Sequence, residues 1–183
     1  MLMGGMETLM MRGNVTFEGV TEGININGGG RSGAANVMGM GGTTMTVNGS
    51  GVVGIKVQDM KAIDATVMRL KIVGDRSGGK GVEFIGKGGT LVLNMVDVSG
   101  FATGVSASKG KLEMMGGSIT FASGGTGLNV SGTADAELMG GRIVGGGSNS
   151  TGVVMESEGV LMLNMVNISD VRVSGKYGVQ MMK

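Results

Sequence analysis

The sequence predicts an all-β chain: a single right-handed parallel β-helix, or solenoid, of about seven coils with three short strands each. Three observations carry this reading. A Gly-h-x-h segment (h, an apolar residue) recurs seven times at near-constant spacing. Apolar and polar residues alternate over short runs, which is strand spacing. Forty glycines stand beside no proline, so turns are frequent and no residue removes a ladder donor.

The repeat is the strongest signal. Its anchors are Gly23-Ile24-Asn25-Ile26, Gly54-Ile55-Lys56-Val57, Gly81-Val82-Glu83-Phe84, Gly104-Val105-Ser106-Ala107, Gly127-Leu128-Asn129-Val130, Gly152-Val153-Val154-Met155 and Gly178-Val179-Gln180-Met181. The intervals between anchor glycines are 31, 27, 23, 23, 25 and 26 residues. A unit that short cannot bury its own apolar face, and stacking on its neighbours solves the problem. A second strand precedes each anchor. Leu112-Glu113-Met114 leads to Gly116-Gly117-Ser118-Ile119-Thr120-Phe121, and Glu137-Leu138-Met139 leads to Gly140-Gly141-Arg142-Ile143. Val67 to Ile72 fill the same slot. So does Leu91-Val92-Leu93-Asn94-Met95-Val96-Asp97-Val98-Ser99, which returns almost verbatim as Leu161 to Ser169. An antiparallel sandwich would instead show repeated two-residue hairpin turns. Only Asn27-Gly28 and Asn48-Gly49 are of that kind.

Composition agrees. Glycine-rich disorder lacks aliphatics, whereas 41% of this chain is hydrophobic. Glycine is too frequent for long helices, and no apolar run reaches the 18 or so residues of a membrane span. With 3% aromatics the core is expected to be aliphatic, with the 19 methionines filling its irregular gaps. Cysteine is absent, which suits the cytosol and equally a chain that crosses a membrane unfolded.

Three inserts are expected to project as loops: Asn27 to Gly42, Gly74 to Lys80, and Gly145 to Thr151. Charge is uneven along the chain. Residues 56–111 hold 9 basic and 5 acidic residues, whereas residues 112–183 hold 4 and 6. Because coils map sequence onto height, the middle of the rod is expected to be mildly basic. Lys56, Lys61, Arg69, Lys71, Arg76, Lys80 and Lys87 are the candidate partner-binding residues, for sulfated glycans or an acidic receptor face.

No catalytic residue, cofactor or metal site is expected. Histidine is absent, which removes Ser-His-Asp, Cys-His and His-metal constellations. A polysaccharide-processing enzyme needs clustered carboxylates. Here the aspartates are spread along the coils; Asp59, Asp75 and Asp97 are spaced so that they could stack in neighbouring coils, a spacing that acids scattered among turns also give. The aromatics, which such enzymes use to grip sugar rings, fall mostly at inward slots. Nucleic-acid binding would call for strong basicity, and the net charge is +1.

The lines Lys111-Leu112-Glu113-Met114-Met115-Gly116-Gly117-Ser118-Ile119-Thr120-Phe121, Thr126-Gly127-Leu128-Asn129-Val130 and Val160 to Ser169 resemble the passenger domains of bacterial autotransporters, the pertactin-like right-handed β-helices. The likeness spans nearly the whole chain as a repeat style. Met- and Gly-rich coils of this kind resemble those of vessel-infecting pathogens, among them a secreted angiogenic factor. The resemblance implies one passenger domain over 1–183, an excised fragment without signal peptide or translocator barrel. It also implies a secreted or bacterial-surface location and a non-enzymatic role as adhesin or receptor ligand, such as a growth-factor-like ligand for an endothelial receptor. A monomer that inserts in no membrane is expected. A polysaccharide-processing enzyme and an inert spacer rod are the alternatives.

Overall fold

The structure, a computed structural model, describes residues 1–58, 61–172 and 177–182. Among them there is no helix, and every strand pairing is parallel. The chain is a parallel β-solenoid of about seven turns. They are numbered coil 1 (8–26), coil 2 (33–57), coil 3 (63–84), coil 4 (90–107), coil 5 (111–132), coil 6 (135–157) and coil 7 (161–181). Each coil runs across three faces, here B, C and A in chain order. A short strand, Leu2–Met3, adds one further rung to face A beneath coil 1.

All seven anchors fall in one register on face A. Ile24, Ile55, Val82, Val105, Leu128, Val153 and Val179 stack directly on one another. None of their glycines has a positive φ, and those from Gly23 to Gly152 are required by close approach rather than by turn geometry. A Cβ added at Gly23, Gly54, Gly81, Gly104, Gly127 or Gly152 would lie only 2.4 to 2.8 Å from the carbonyl oxygen of the next anchor glycine. The same Cβ would meet a β-branched side chain of the next coil's face C, for example Ile119 Cγ2 at 2.1 Å from Gly104. The glycine column is therefore the groove into which the valines and isoleucines of face C pack.

The remaining core follows strand alternation. In coil 4, Leu91 and Leu93 point inward from face B, Val96, Val98 and Phe101 from face C, and Val105 and Ala107 from face A, all buried. Phe84, Phe101 and Phe121 are fully buried as their inward slots required, while Tyr177 is exposed.

Three expectations need correction. The methionines are not chiefly core residues. Met3, Met11, Met45, Met114 and Met155 are buried, but Met10, Met38, Met68, Met115 and Met139 occupy the outward row of face B. Alternation puts them there, because their strand neighbours Leu9, Val37, Val67, Met114 and Leu138 take the inward slots. The insert from Asn27 to Gly42 is largely not a loop. From Gly33 on it is strand, Gly33–Asn48, covering faces B and C of coil 2. Finally, Leu91 to Ser99 is two strands, Thr90–Asn94 and the start of Asp97–Ala107, with the chain bent at Met95 (φ 53°). Its near-copy bends likewise at Met165 (φ 54°). Gly116 and Gly140 make the same left-handed corner in coils 5 and 6.

Replacing Gly104 by Ala is expected to cost about 1–3 kcal/mol, since Ile119 and a backbone oxygen must both shift. Gly88, whose added Cβ meets only Ala62 at 3.9 Å, should tolerate Ala within about 0.5 kcal/mol. Urea unfolding of the two variants checks both expectations. Equal midpoints would show that the anchor column is not close-packed.

Candidate functional site: a notch at coil 4

The corner joining face C to face A varies in length from coil to coil. In coil 3 it comprises 74–79, between Val73 and Lys80. In coil 4 the matching rungs are Ser99 and Thr103, leaving only 100–102. The corners lengthen again to 121–125 in coil 5 and 145–150 in coil 6. One recessed corner between longer neighbours leaves a notch of about 400 Å³. Arg76 stands on one wall, Thr120, Ser123 and Gly146 on the other, with Ser99 and Gly100 in the floor.

Backbone forms much of that floor. A Cβ at Gly100 would approach the Gly74 carbonyl oxygen to 2.2 Å, and one at Gly146 would approach that of Phe121 to 2.3 Å. Arg76 is in the left-handed region (φ 67°) and its N–H donates to the Gly100 carbonyl at 2.9 Å, so the backbone carrying the guanidinium is fixed. No carboxylate lines the notch. It offers one exposed guanidinium, hydroxyls and backbone groups, a set suited to binding an anionic or polar group. A second, more open depression continues along face C past Asp97, Ser118, Arg142 and Asn167.

The insert bearing Arg76 is anchored. Asp75 accepts from Gly49 N–H of coil 2 at 2.8 Å, from Ser77 N–H at 2.9 Å and from the Ser77 hydroxyl, which also lies 2.7 Å from the Gly49 carbonyl. These hydrogen bonds, led by that of the Ser77 hydroxyl, hold the Asp75 carboxyl below its ordinary value. Other aspartates do similar work between coils. Asp64 accepts from Thr90 N–H at 2.7 Å, Asp97 from the Ser118 hydroxyl at 2.6 Å, and Asp135 from Val160 N–H at 2.7 Å. Asp75 and Asp97 do not stack: Asp97 pairs in register with Lys71 on face C, while Asp75 sits in a corner. Asp59 lies outside the described residues.

The seven cations named from the sequence are distributed around the rod. Lys56 and Lys80 share face A with two carboxylates. Lys56 Nζ is 2.8 Å from Glu22 and 4.0 Å from Glu83, and Lys80 pairs with Glu83. The hydrogen bond from Lys56 lowers the Glu22 carboxyl against the opposing effect of burial. Lys61 and Lys87 lie at corners between faces A and B, Arg69 at the corner between B and C, Lys71 at the start of the face C strand, and Arg76 in the notch. These five make no ion pair among the described residues. Sequence reasoning passed over Lys111, which bridges Glu113 (2.6 Å) and Glu137 (3.0 Å) on face B and is raised above its ordinary value by those hydrogen bonds. The observed register sets Leu112-Glu113-Met114 on Ala136-Glu137-Leu138 and so brings the two glutamates side by side, one residue away from the alignment that the Leu-Glu-Met and Glu-Leu-Met runs suggest.

No protein-family model matches the chain, and neither a curated protein nor a solved structure shows significant similarity to it.

The tie at Asp75 requires its ionised form. With the folded value lowered, the tie is intact above the ordinary carboxyl range and lost as pH falls through the lowered folded value. The amide resonances of Gly49 and Ser77 should therefore titrate together with a midpoint below 3.8, and Asp75→Asn should abolish the step. A midpoint at or above that value would show that the carboxylate does not hold the corner.

Proposed function

We propose that this solenoid is an extracellular, non-enzymatic module that binds host cells, a stretch of autotransporter passenger acting as adhesin or receptor ligand. The observation that carries the reading is the notch: a recess at coil 4 between longer neighbouring corners, with an anchored arginine at its opening. Carboxylates that a sugar-cleaving site would need in proximity are instead engaged in joining coils, at Asp64, Asp75, Asp97 and Asp135. The repeat style shared with pertactin-like passengers supports the extracellular assignment.

The partner is a surface bearing sulfate or carboxylate groups, either a glycan or an acidic receptor face. A guanidinium forks onto such planar or tetrahedral anions with two parallel hydrogen bonds, which an ammonium does not. Arg76 therefore contributes most among the basic residues. Lys56 and Lys80 contribute less, since each would have to leave a carboxylate.

Saturable binding of the purified chain to endothelial and epithelial cells, with receptor phosphorylation as the second readout, tests the proposal. Arg76→Ala is expected to weaken binding about tenfold, roughly 1.4 kcal/mol, and to flatten its salt dependence, with an unchanged melting temperature. Lys80→Ala should leave affinity nearly intact. A growth response without attachment of whole bacteria would favour ligand over adhesin. No saturable binding to any host cell would sink the proposal, and release of unsaturated products from acidic polysaccharides would replace it with an enzyme.

A further inference from the structure

On face A, three side chains from coils 1 and 2 meet through a single carboxylate. Asn25 and Lys56 are partners in the parallel ladder, one rung apart. Glu22 opens the strand that carries Asn25. Its Oε1 accepts from Lys56 Nζ at 2.8 Å, and its Oε2 accepts from Asn25 Nδ2. Lys56 is committed to coil 1, because Glu83 of coil 3 is 4.0 Å away and is engaged by Lys80. The Lys56 and Glu22 side chains are 20% and 23% exposed, so bulk water is largely kept from the pair. Asn25 Oδ1 is buried and has no partner among the described residues, a cost that a purely structural asparagine would avoid.

This is the arrangement needed to join an amine to a carboxamide. The two oxygens of one carboxylate rest on the nucleophile and on the leaving group, so Glu22 connects the two nitrogens between which a proton must move. Glu22 starts ionised, because the hydrogen bond from Lys56 holds its carboxyl below the ordinary value. It is therefore a base at the outset. Asn25 and Lys56 are remote in sequence and meet only when coil 2 stacks on coil 1. Folding thus supplies the encounter and replaces the entropy of a bimolecular collision.

We propose that Lys56 and Asn25 form an intramolecular isopeptide bond, with Glu22 relaying the proton. Lys56 Nζ gives a proton to Glu22 Oε1 and attacks Asn25 Cγ with the freed lone pair. In the tetrahedral intermediate Cγ carries both nitrogens, and the negative charge rests on Oδ1. Glu22 passes its proton to Nδ2 and takes one from Nζ. The Cγ–Oδ1 double bond re-forms as the Cγ–Nδ2 bond breaks, and ammonia leaves with the proton held on Glu22. An ammonium and a carboxamide have become a secondary amide and a free ammonium ion, and Glu22 is ionised again. No oxidant or cofactor enters. The bond clasps coil 1 to coil 2 in a chain that has no cysteine, and a bonded Lys56 has no charge left to offer an anionic partner. Asn129 holds the same outward slot in coil 5, between Ser106 and Val154. No amine adjoins it in register, so it stays a carboxamide.

Tryptic digestion and tandem mass spectrometry of the full chain, fresh and after prolonged incubation, test the proposal. Trypsin does not cut after an acylated lysine. Residues 13–31 and 32–61 are therefore expected as one branched species, lighter than their sum by one ammonia. Loss of ammonia alone is not the readout, since Asn27-Gly28 and Asn48-Gly49 also lose it on closing to succinimides. Lys56→Arg keeps the ion pair to Glu22 but has no amine, so the branched species should vanish while circular dichroism is unchanged. Glu22→Gln keeps both reacting groups and removes the relay, and should slow formation about a hundredfold. Absence of the branched species from the parent chain after incubation overturns the proposal. So does its formation at the parent rate in Glu22→Gln, or a link from Lys56 to any carboxamide other than that of Asn25.

Discussion

The rest of this molecule depends on the stacking of one glycine per coil. A parallel ladder brings successive rungs to about 4.8 Å, and at the anchors the backbone must also admit a branched side chain from face C. Only a residue without Cβ leaves that room, as the 2.1 Å approach at Gly104 illustrates. Six such contacts lock face C against face A from coil 1 to coil 7. Once they are made, the register of every other strand is fixed, because a slip by one residue would turn the inward valines and leucines to water.

With three faces held in register, variation in coil length has nowhere to go but the corners. Two of the three inserts read from the sequence, around Arg76 and around Asn149, lie at the same kind of corner, between faces C and A. The notch is the complement of that variation: coil 4, with the shortest such corner, recedes between longer neighbours. Asp75 and Ser77 then convert the longest stretch beside it from slack chain into a wall tied to coil 2. A binding surface has thereby been made by changing loop length alone, with the core columns of coils 3–6 left intact.

The fold was legible because six of the seven anchors, Gly23 through Gly152, obey a steric rule that admits one residue type, so the repeats could be aligned by inspection. The corners between faces B and C were less legible. Gly116 and Gly140 announce a left-handed residue, but Arg69, Met95 and Met165 make the same bend at a cost of about 1–2 kcal/mol each, and no sequence feature marks them. Methionine was misleading for a different reason: it is apolar, yet alternation assigns Met10, Met38 and Met68 to the outward row, and only the strand register reveals which parity faces in. The candidate site was legible only in part. Arg76 stood out as a cation in an insert, whereas the recess itself arises from comparing corner lengths across neighbouring coils, which requires the register first. Lys56 and Lys80 carry the same formal charge as Arg76, and nothing local in the sequence shows that Glu22 and Glu83 neutralise them from adjacent coils.

Each coil touches only the coil before and the coil after, so the rod behaves as a one-dimensional chain of interfaces. Coils 2 to 6 are each held twice, by the coil beneath and the coil above. Damage in coil 4 severs the rod, dividing one cooperative stack into two short ones. The notch takes its lining from coils 3 to 6, so it exists only while the three interfaces joining those coils all hold.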